Sequence, residues 1–476
     1  MPRKHLFALI CIQLSWLVVT RAGAGCDEWG TCSADGKVIA QRNLTSKYYW
    51  PRARGNPIDY MRTSYTLPFD LTSAFKWSWT YPEGRFTTVM RGNPLIDDKK
   101  NIYILTEMAL FKLDVTGKTI WRYRVPSGAM MQVVPCIWDG AIIGSSQDST
   151  VYSLDLETGK ENWVKNFATS VGGDTSYVEA IDDIALTAVD DPGTAGNRRI
   201  LALNTSNGDT IWQYRTEVTL WNFSPVFPGD GTFITMDVTG GTYRFGLFDG
   251  RLIWHSAVHA FPNSFTDGGV MIGPDGTSYS CSNNEFDEKG ALRSYRLSDG
   301  KMLWEKLLPT GCTSWPAISV DGSWGALAAG HFVQEPLVMG LEKGVPGLPQ
   351  IVKRLFHQLS LSLGEYELYI PWLFGVPKGR PCRTNIIAFD TKTGSSIWEY
   401  RVPDYKRFAG RGDDSGLGER VQAMMEGRGI SPICMPTSWG TPTISGDGTI
   451  HVGHVSGILY AVRDKDGDGS VDPATE

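Results

Sequence analysis

Apolar and polar residues alternate along most of the chain in short runs, broken by clusters of Gly, Asp, Asn and Thr. Alternation of this kind is the period of a half-buried strand, and the breaks carry the chemistry of tight turns. In TVYSLDLETGKENW (150–163), ILALNTSNGDTIW (200–212) and NIIAFDTKTGSSIW (385–398), a strand enters a turn and the next strand reaches a Trp. The same Gly-to-Trp spacing recurs at Gly117/Trp121, Gly159/Trp163, Gly208/Trp212, Gly250/Trp254, Gly300/Trp304 and Gly394/Trp398. Gly supplies positive φ, and Asp, Asn or Thr bonds the local backbone. Each segment therefore predicts a hairpin whose second strand carries a large aromatic anchor.

A second hairpin precedes these. SPVFPGDGTFITM (224–236), PAISVDGSWGALA (316–328) and TPTISGDGTIHVG (441–453) alternate around an Asp-Gly turn, a strong hairpin signal. Pro225, Pro316 and Pro442 lie five residues before the turn Asp, with Pro94 and Pro135 near the same place. Proline is tolerated at a strand's start. Units of four strands, with Trp residues 42 to 50 apart, predict an all-β fold made of propeller blades.

The Trp series then jumps from 304 to 398 with one pair of hairpins between them, so 332–383 reads as an insertion. A second insertion is expected at 403–435. The last unit, from Gly440, has three strands and no Trp; SAFKWSWTY (73–81) is expected to supply its fourth strand and close the ring. Closures at Trp77, Trp121, Trp163, Trp212, Trp254, Trp304 and Trp398 count seven blades, or eight if the first insertion hides a degenerate one. The expected layout is a signal at 1–24, an arm at 25–68, the propeller at 69–462 and an acidic tail at 463–476. The periodic tryptophans should dock neighbouring blades.

Composition narrows the function. The 476 residues carry 45 Lys+Arg against 51 Asp+Glu, a net charge of -6, which argues against nucleic acid as partner. Arg3 and Lys4, an apolar run from Leu6 to Val19 and Ala22-Gly23-Ala24 fit a secretory signal cleaved after Ala24. Three basic residues and no acid leave with it, taking -6 to -9. A lipid anchor on Cys26 is the alternative, although Gly23 stands where Leu is usual. No later stretch is long enough to span a membrane. The chain is expected to be extracellular, or periplasmic in a bacterium. An exported chain can pair Cys26 with Cys32, Cys281 with Cys312 and Cys382 with Cys434, leaving Cys136, but spacing does not fix connectivity. Asn43, Asn204 and Asn222 are glycosylation sequons.

Leu154-Asp155 with Thr158-Gly159 and Trp163, and Phe389-Asp390 with Thr393-Gly394 and Trp398, resemble the pyrroloquinoline quinone-type propeller repeat. The resemblance covers about 70–462 and implies a propeller. Its superfamily includes quinoprotein alcohol dehydrogenases and non-catalytic members, among them a scaffold lipoprotein of the bacterial outer-membrane assembly machinery. The dehydrogenase branch implies a vicinal disulfide, a calcium held by Glu, Asn and Asp beside the quinone, and a catalytic Asp. This chain has no adjacent cysteines and no C-x-x-C-H for haem. No motif places the metal ligands, so no catalytic residue carries over.

Loops on one propeller face are the expected binding groups. Those leading into the blades hold Arg85, Arg91, Asp174, Trp221, His259, Trp315 and Trp439; those in mid-blade add Asp148, Asp237, Glu285, His331 and His454. Trp315 and Trp439 lie outside the docking position, either as packing or as platforms for a sugar, quinone or peptide ring. His331 and His454 are candidate metal ligands or acid–base groups. Asp464, Asp466, Asp468, Ser470 and Asp472 resemble the first part of an EF-hand-type Ca2+ loop, departing at Thr475, where a bidentate Glu is usual. Residues 341–375 include an apolar, helix-compatible stretch suited to packing or capping, and Arg411-Gly412-Asp413 is a short adhesion-like match. The leading expectation is a secreted propeller that binds or scaffolds a protein or polysaccharide. The alternatives are a PQQ-dependent alcohol or sugar dehydrogenase and a polysaccharide lyase or hydrolase.

Overall fold

The alternating runs do fold as short antiparallel strands. The computed structural model describes residues 46–472 except 56–60, 69, 85–87, 89, 132, 168–175, 192–193, 221, 259–263, 267–268, 285–288, 332–348, 350–351, 353–381, 407–409 and 412–437. Seven antiparallel sheets follow one another along the described chain.

Sheet one is β1 (Leu95–Ile96), β2 (Ile102–Leu105), β3 (Leu110–Leu113) and β4 (Thr119–Tyr123). Sheet two is β5 (Cys136–Trp138), β6 (Ala141–Ser145), β7 (Thr150–Asp155) and β8 (Glu161–Asn166). Sheet three is β9 (Glu179–Ile181), β10 (Ile184–Asp191), β11 (Thr194–Asn204) and β12 (Thr210–Arg215). Sheet four is β13 (Thr232–Met236), β14 (Thr242–Gly246) and β15 (Leu252–Ser256), with Val226 bridged to Ile234 where a first strand would run. Sheet five is β16 (Ser264–Phe265), β17 (Met271–Ile272), β18 (Thr277–Asn284), β19 (Lys289–Arg296) and β20 (Met302–Leu308). Sheet six is β21 (Ala317–Ile318), β22 (Trp324–Gly330), β23 (Cys382–Asp390) and β24 (Ser396–Tyr405). Sheet seven is β25 (Thr443–Ile444), β26 (Ile450–Gly453) and β27 (Leu459–Val462).

The long Trp interval is explained within sheet six. There β22 pairs directly with β23, from Trp324 with Asp390 to Gly330 with Thr384, so the intervening residues are inserted between adjacent strands of one sheet. Of the second expected insertion, 403–405 belong to β24, and the remainder precedes β25 in the chain. Most of both insertions, including 351 and 353–364, falls outside the described residues.

The Gly–Trp spacing is a device for joining sheets. Each Trp lies on the outer turn of the sheet that follows it. A Cβ on Gly159 would sit 2.6 Å from Trp121, one on Gly208 2.6 Å from Trp163, and one on Gly250 2.5 Å from Trp212. Gly117 meets Trp77, Gly300 meets Trp254 and Gly394 meets Trp304 in the same way. The indole N–H then donates to a backbone oxygen of that turn: Trp163 to Thr205 at 2.8 Å, Trp212 to Leu247 at 2.8 Å and Trp254 to Leu297 at 2.7 Å. Trp77, Trp121 and Trp304 donate to Val115, Leu156 and Thr391. Apolar area and the polar tip of the indole are thus both used. The turns preserve their own shape: Asp155 accepts from the N–H and hydroxyl of Thr158, and Asp390 from those of Thr393.

One expectation needs correcting. Residues 73–81 form no strand: Leu71–Ala74 is a short helix (α1) whose N-cap Asp70 accepts from the N–H groups of Thr72 and Ser73, and no ladder follows through Tyr81. The capping carboxylate takes up the free N–H groups of the helix's first turn. Trp77 still takes its place on the Gly117 turn, but sheet seven keeps three strands among the described residues. The chain's beginning reaches sheet seven differently. Arg62 bridges Ile444 in parallel, Thr63 donates to Ile444, and Ile444 donates to Met61.

The ladder predicts an asymmetry between glycines. Gly208 has φ +71 and an indole against it, whereas Gly448 has φ +83 and nothing within 4 Å of an added Cβ. Gly448→Ala should cost about 1–2 kcal/mol of left-handed strain. Gly208→Ala adds overpacking and should cost about 3 kcal/mol. Urea unfolding measures both, and equal losses would remove the indole contact as the cause.

Candidate functional site

The first strands of the sheets carry no partner on their inner edge from the repeat itself. The arm, described at 46–55 and 61–68, runs along them. Trp50 exchanges both backbone hydrogen bonds with Ile96 of sheet one at 2.9 Å, and the carbonyl of Pro51 accepts from Ile137 of sheet two at 2.7 Å. A tight turn follows, with Gly55 donating to Arg52; Gly55 has φ +93 and lies against the Trp50 ring. Arg52 then donates to Ala180 of sheet three at 2.8 Å, and Arg54 to Pro225 at the start of sheet four at 3.0 Å. Further along, Arg62 donates to Ser319 of sheet six at 3.0 Å.

The centre of this arrangement is a buried ion triad. Glu179, the first residue of β9, lies 3.2 Å from Arg52 and 3.7 Å from Arg54, and all three side chains are 1–2% exposed. Burial pushes the Glu179 carboxyl up, against the pull of both guanidinium groups. The guanidinium of Arg52 lies over Phe227 and that of Arg54 over Trp315, each 5.6 Å from the ring centroid. Trp315, leading into sheet six, also meets the edge of Tyr177, leading into sheet three, at 6.2 Å. Residues three sheets apart thus meet beside the arm. The sequence reading missed Arg52, Arg54 and Glu179. Their signal was one acid at the head of an apolar first strand and two arginines in PRARG (51–55).

The expected loop residues separate into two groups. Arg85, Asp174, Trp221, His259 and Glu285 lie outside the described residues. Trp315 is covered by Arg54 and Tyr177, and its indole lies against Gly269. Trp439 and His454 come together: they form a bridge, their rings are 4.5 Å apart, and Trp439 donates to Ala329. His454 contacts Thr384 and Ser456, with Tyr405 and Tyr460 at its edges. Burial holds its imidazole down at about 4, so it is neutral at physiological pH. His331 presents its carbonyl to Cys382 at 2.8 Å and to the hydroxyl of Ser438. Asp148 is engaged by Ser146 and Thr150, Asp237 by Thr239, Gly241 and Tyr243, and Arg91 is paired with buried Glu107.

Cys281 and Cys312 form a disulfide that ties β18 to the loop leading into sheet six. Cys136 is buried and free, its thiol pushed up by burial. Cys26, Cys32 and Cys434 are outside the described residues. At the C-terminal loop, Asp464, Asp466 and Asp468 bring one carboxylate oxygen each within 4.8 Å of the others, the only such grouping of three among the described residues. Asp464 accepts from Gly467 and Gly469, and Asp468 from Ser470. Asp472 follows at the end of the described chain.

Residues 77–219 match the family model described as outer membrane protein assembly factor BamB. This stretch holds three complete rungs of the Trp ladder, Trp77 on Gly117, Trp121 on Gly159 and Trp163 on Gly208, and sheets one to three. The chain carries pyrroloquinoline quinone-type propeller repeats. These PQQ-type repeats are also similar to a lanthanide-dependent methanol dehydrogenase of Methylorubrum extorquens, 25% identical over 178 residues, which is 33% of this chain and 29% of that one. The chain spans less than a third of the length of the curated relatives it matches. Among solved structures, the quinohemoprotein alcohol dehydrogenase of Comamonas testosteroni superposes with a TM-score of 0.54 at 12% identity, over 90% of this chain and 75% of that one. A europium-containing methanol dehydrogenase gives 0.51 at 12%, over 88% and 86%. At that identity the PQQ-type likeness speaks for the fold alone. No helix among the described residues is long and apolar enough to cross a membrane.

Among the described residues, no group of three His, Cys, Asp or Glu side chains that could hold a metal lies at the first strands. The space between β9, the start of sheet four and Trp315 is filled by the Arg52 and Arg54 guanidinium groups, and the three-carboxylate grouping is at the exposed tail instead.

Removing the carboxylate tests the triad. Glu179→Gln leaves two buried guanidinium groups without a counter-charge and should cost about 3–5 kcal/mol. Lys165→Gln, at the exposed pair with Asp209, should cost no more than about 1 kcal/mol. Equal losses in equilibrium denaturation would mean that the two guanidinium groups do not depend on Glu179 for their counter-charge.

Proposed function

We propose that the protein is an exported, seven-bladed PQQ-type propeller, with 69–462 as one ring and 332–383 and 403–435 as insertions, that binds or scaffolds a protein or polysaccharide through its loop face. The observation that carries this is the arm: Arg52 and Arg54 are buried against Glu179, Phe227 and Trp315 at the first strands, so the groups gathered there serve chain-to-chain contact. Contact between Tyr177 and Trp315 across three sheets supports a closed ring. The BamB description of the matching family model is compatible with a protein-binding scaffold. Similarity to a methanol dehydrogenase keeps quinone-dependent oxidation as the second reading.

Reconstitution with PQQ and either Ca2+ or a lanthanide separates them. No bound-quinone absorbance and no dye-linked alcohol oxidation are expected, while glycan and peptide arrays should return a ligand. Trp221→Ala, in the loop into the fourth unit, should weaken that ligand about tenfold. Quinone binding with turnover would instead establish the oxidoreductase.

We also propose that the tail loop, with Asp464, Asp466, Asp468, Ser470 and Asp472, takes Ca2+ in a structural role. Millimolar Ca2+ should raise the Tm, and Asp466→Asn with Asp468→Asn should abolish the rise. No shift in the unsubstituted protein would leave the segment an acidic turn.

A further inference from the structure

The arm has the contacts of a bound peptide. It meets its surroundings through backbone bonds to strand edges at Ile96, Ile137 and Ile444, and through side-chain donors to Ala180, Pro225 and Ser319. Backbone bonds to open edges give affinity without sequence preference, and defined pockets give selectivity. The pockets here suit arginine. Glu179 supplies a carboxylate shared by two guanidinium groups, Phe227 and Trp315 supply flat faces, and the carbonyls of Ala180 and Pro225 accept the outer N–H groups. Lysine would reproduce the charge but not the planar fork or the stacking.

The arm is also joined to the sheets by an exposed connection. Tyr65 is 62% exposed and Leu67 50% exposed, and Thr66, Pro68 and Asp70 are exposed as well. Its course along the inner strands is therefore set by its own contacts rather than by a buried link to sheet one.

We propose that the surface along the first strands is a binding site for a peptide that pairs with strand edges and presents Arg-x-Arg on a tight turn, and that the described arm residues, 46–55 and 61–65, are its ligand, held in cis. The site is separate from the loop-face ligand, so it stands whether or not that reading holds. A second peptide of the same chemistry gains access by displacing the arm, and the covalent link raises the arm's effective concentration against it.

The experiment uses the full chain with a specific protease site replacing 66–70. The protein is cut after folding, and a fluorescently labelled synthetic peptide spanning 43–66 is added. Near-ultraviolet circular dichroism follows the integrity of the sheets. The cut arm should co-elute with the propeller and exchange with the labelled peptide while the dichroism is unchanged. Peptides carrying Arg52→Lys and Arg54→Lys should compete at least about tenfold more weakly. Because these changes are in the peptide, they do not disturb folding of the sheets. Two results would overturn the proposal: loss of the arm on cutting with no rebinding, or an arm that exchanges only when the sheets unfold. The second would make it a structural strand and not a ligand.

Discussion

Glu179 is the charge on which the inside of the molecule depends. It heads β9, it is 1% exposed, and its two oxygens each face an arginine of the arm. Isolated in such a place, a carboxylate would be neutralised, and either guanidinium group would be expelled to water. Together, with carbonyls and aromatic faces taking up remaining donors, they are tolerated. The triad thereby sets where the arm lies, because neither Arg52 nor Arg54 can leave without stranding charge. Burial of an ion triad is a poor means of gaining stability over an apolar core. What it supplies is position: an apolar arm could slide along the strand edges, whereas this one has its register set at two residues.

The outside of the molecule is held by a different logic. There the Trp ladder repeats one local contact, indole on Gly and N–H on carbonyl, from sheet to sheet. Each rung needs only a spacing of four residues and a turn Gly with positive φ. Such a rule is legible in sequence because it is short-range and periodic, and it located six docking contacts along with the order of the strands. It also interpreted the interval from Trp304 to Trp398, since β22 and β23 pair across it.

The arm was not legible for the opposite reason. Trp50 pairs with Ile96, Arg54 reaches Pro225, and Arg62 reaches Ser319. Each contact is used once, so no period announces it. A strand at 73–81 was the natural guess for completing sheet seven, since Trp77 follows Ser73 at the repeat's spacing. Local capping by Asp70 and pairing of Met61–Thr63 with Ile444 prevailed over it. Trp315 was rightly separated from the docking series by its position outside the Gly–Trp spacing. Only the three-dimensional course of the arm could give it Arg54 and Tyr177 as neighbours. Several other loop candidates, Trp221 and His259 among them, lie outside the described residues.

These two kinds of contact assign different parts of the molecule to different tasks. Docking through the Trp rungs uses the turns of the sheets and leaves the free edges of their first strands as strand surface, a standing template for other chains. Filling them from within the same chain protects that surface at the cost of the axial space. Blades similar to these occur in dehydrogenases and in an assembly factor alike, so the blades do not decide between chemistry and binding. Here the interior is committed to two arginines and the carboxylate between them. The loops, where the repeat places no constraint on sequence, are the part of the fold left free to vary.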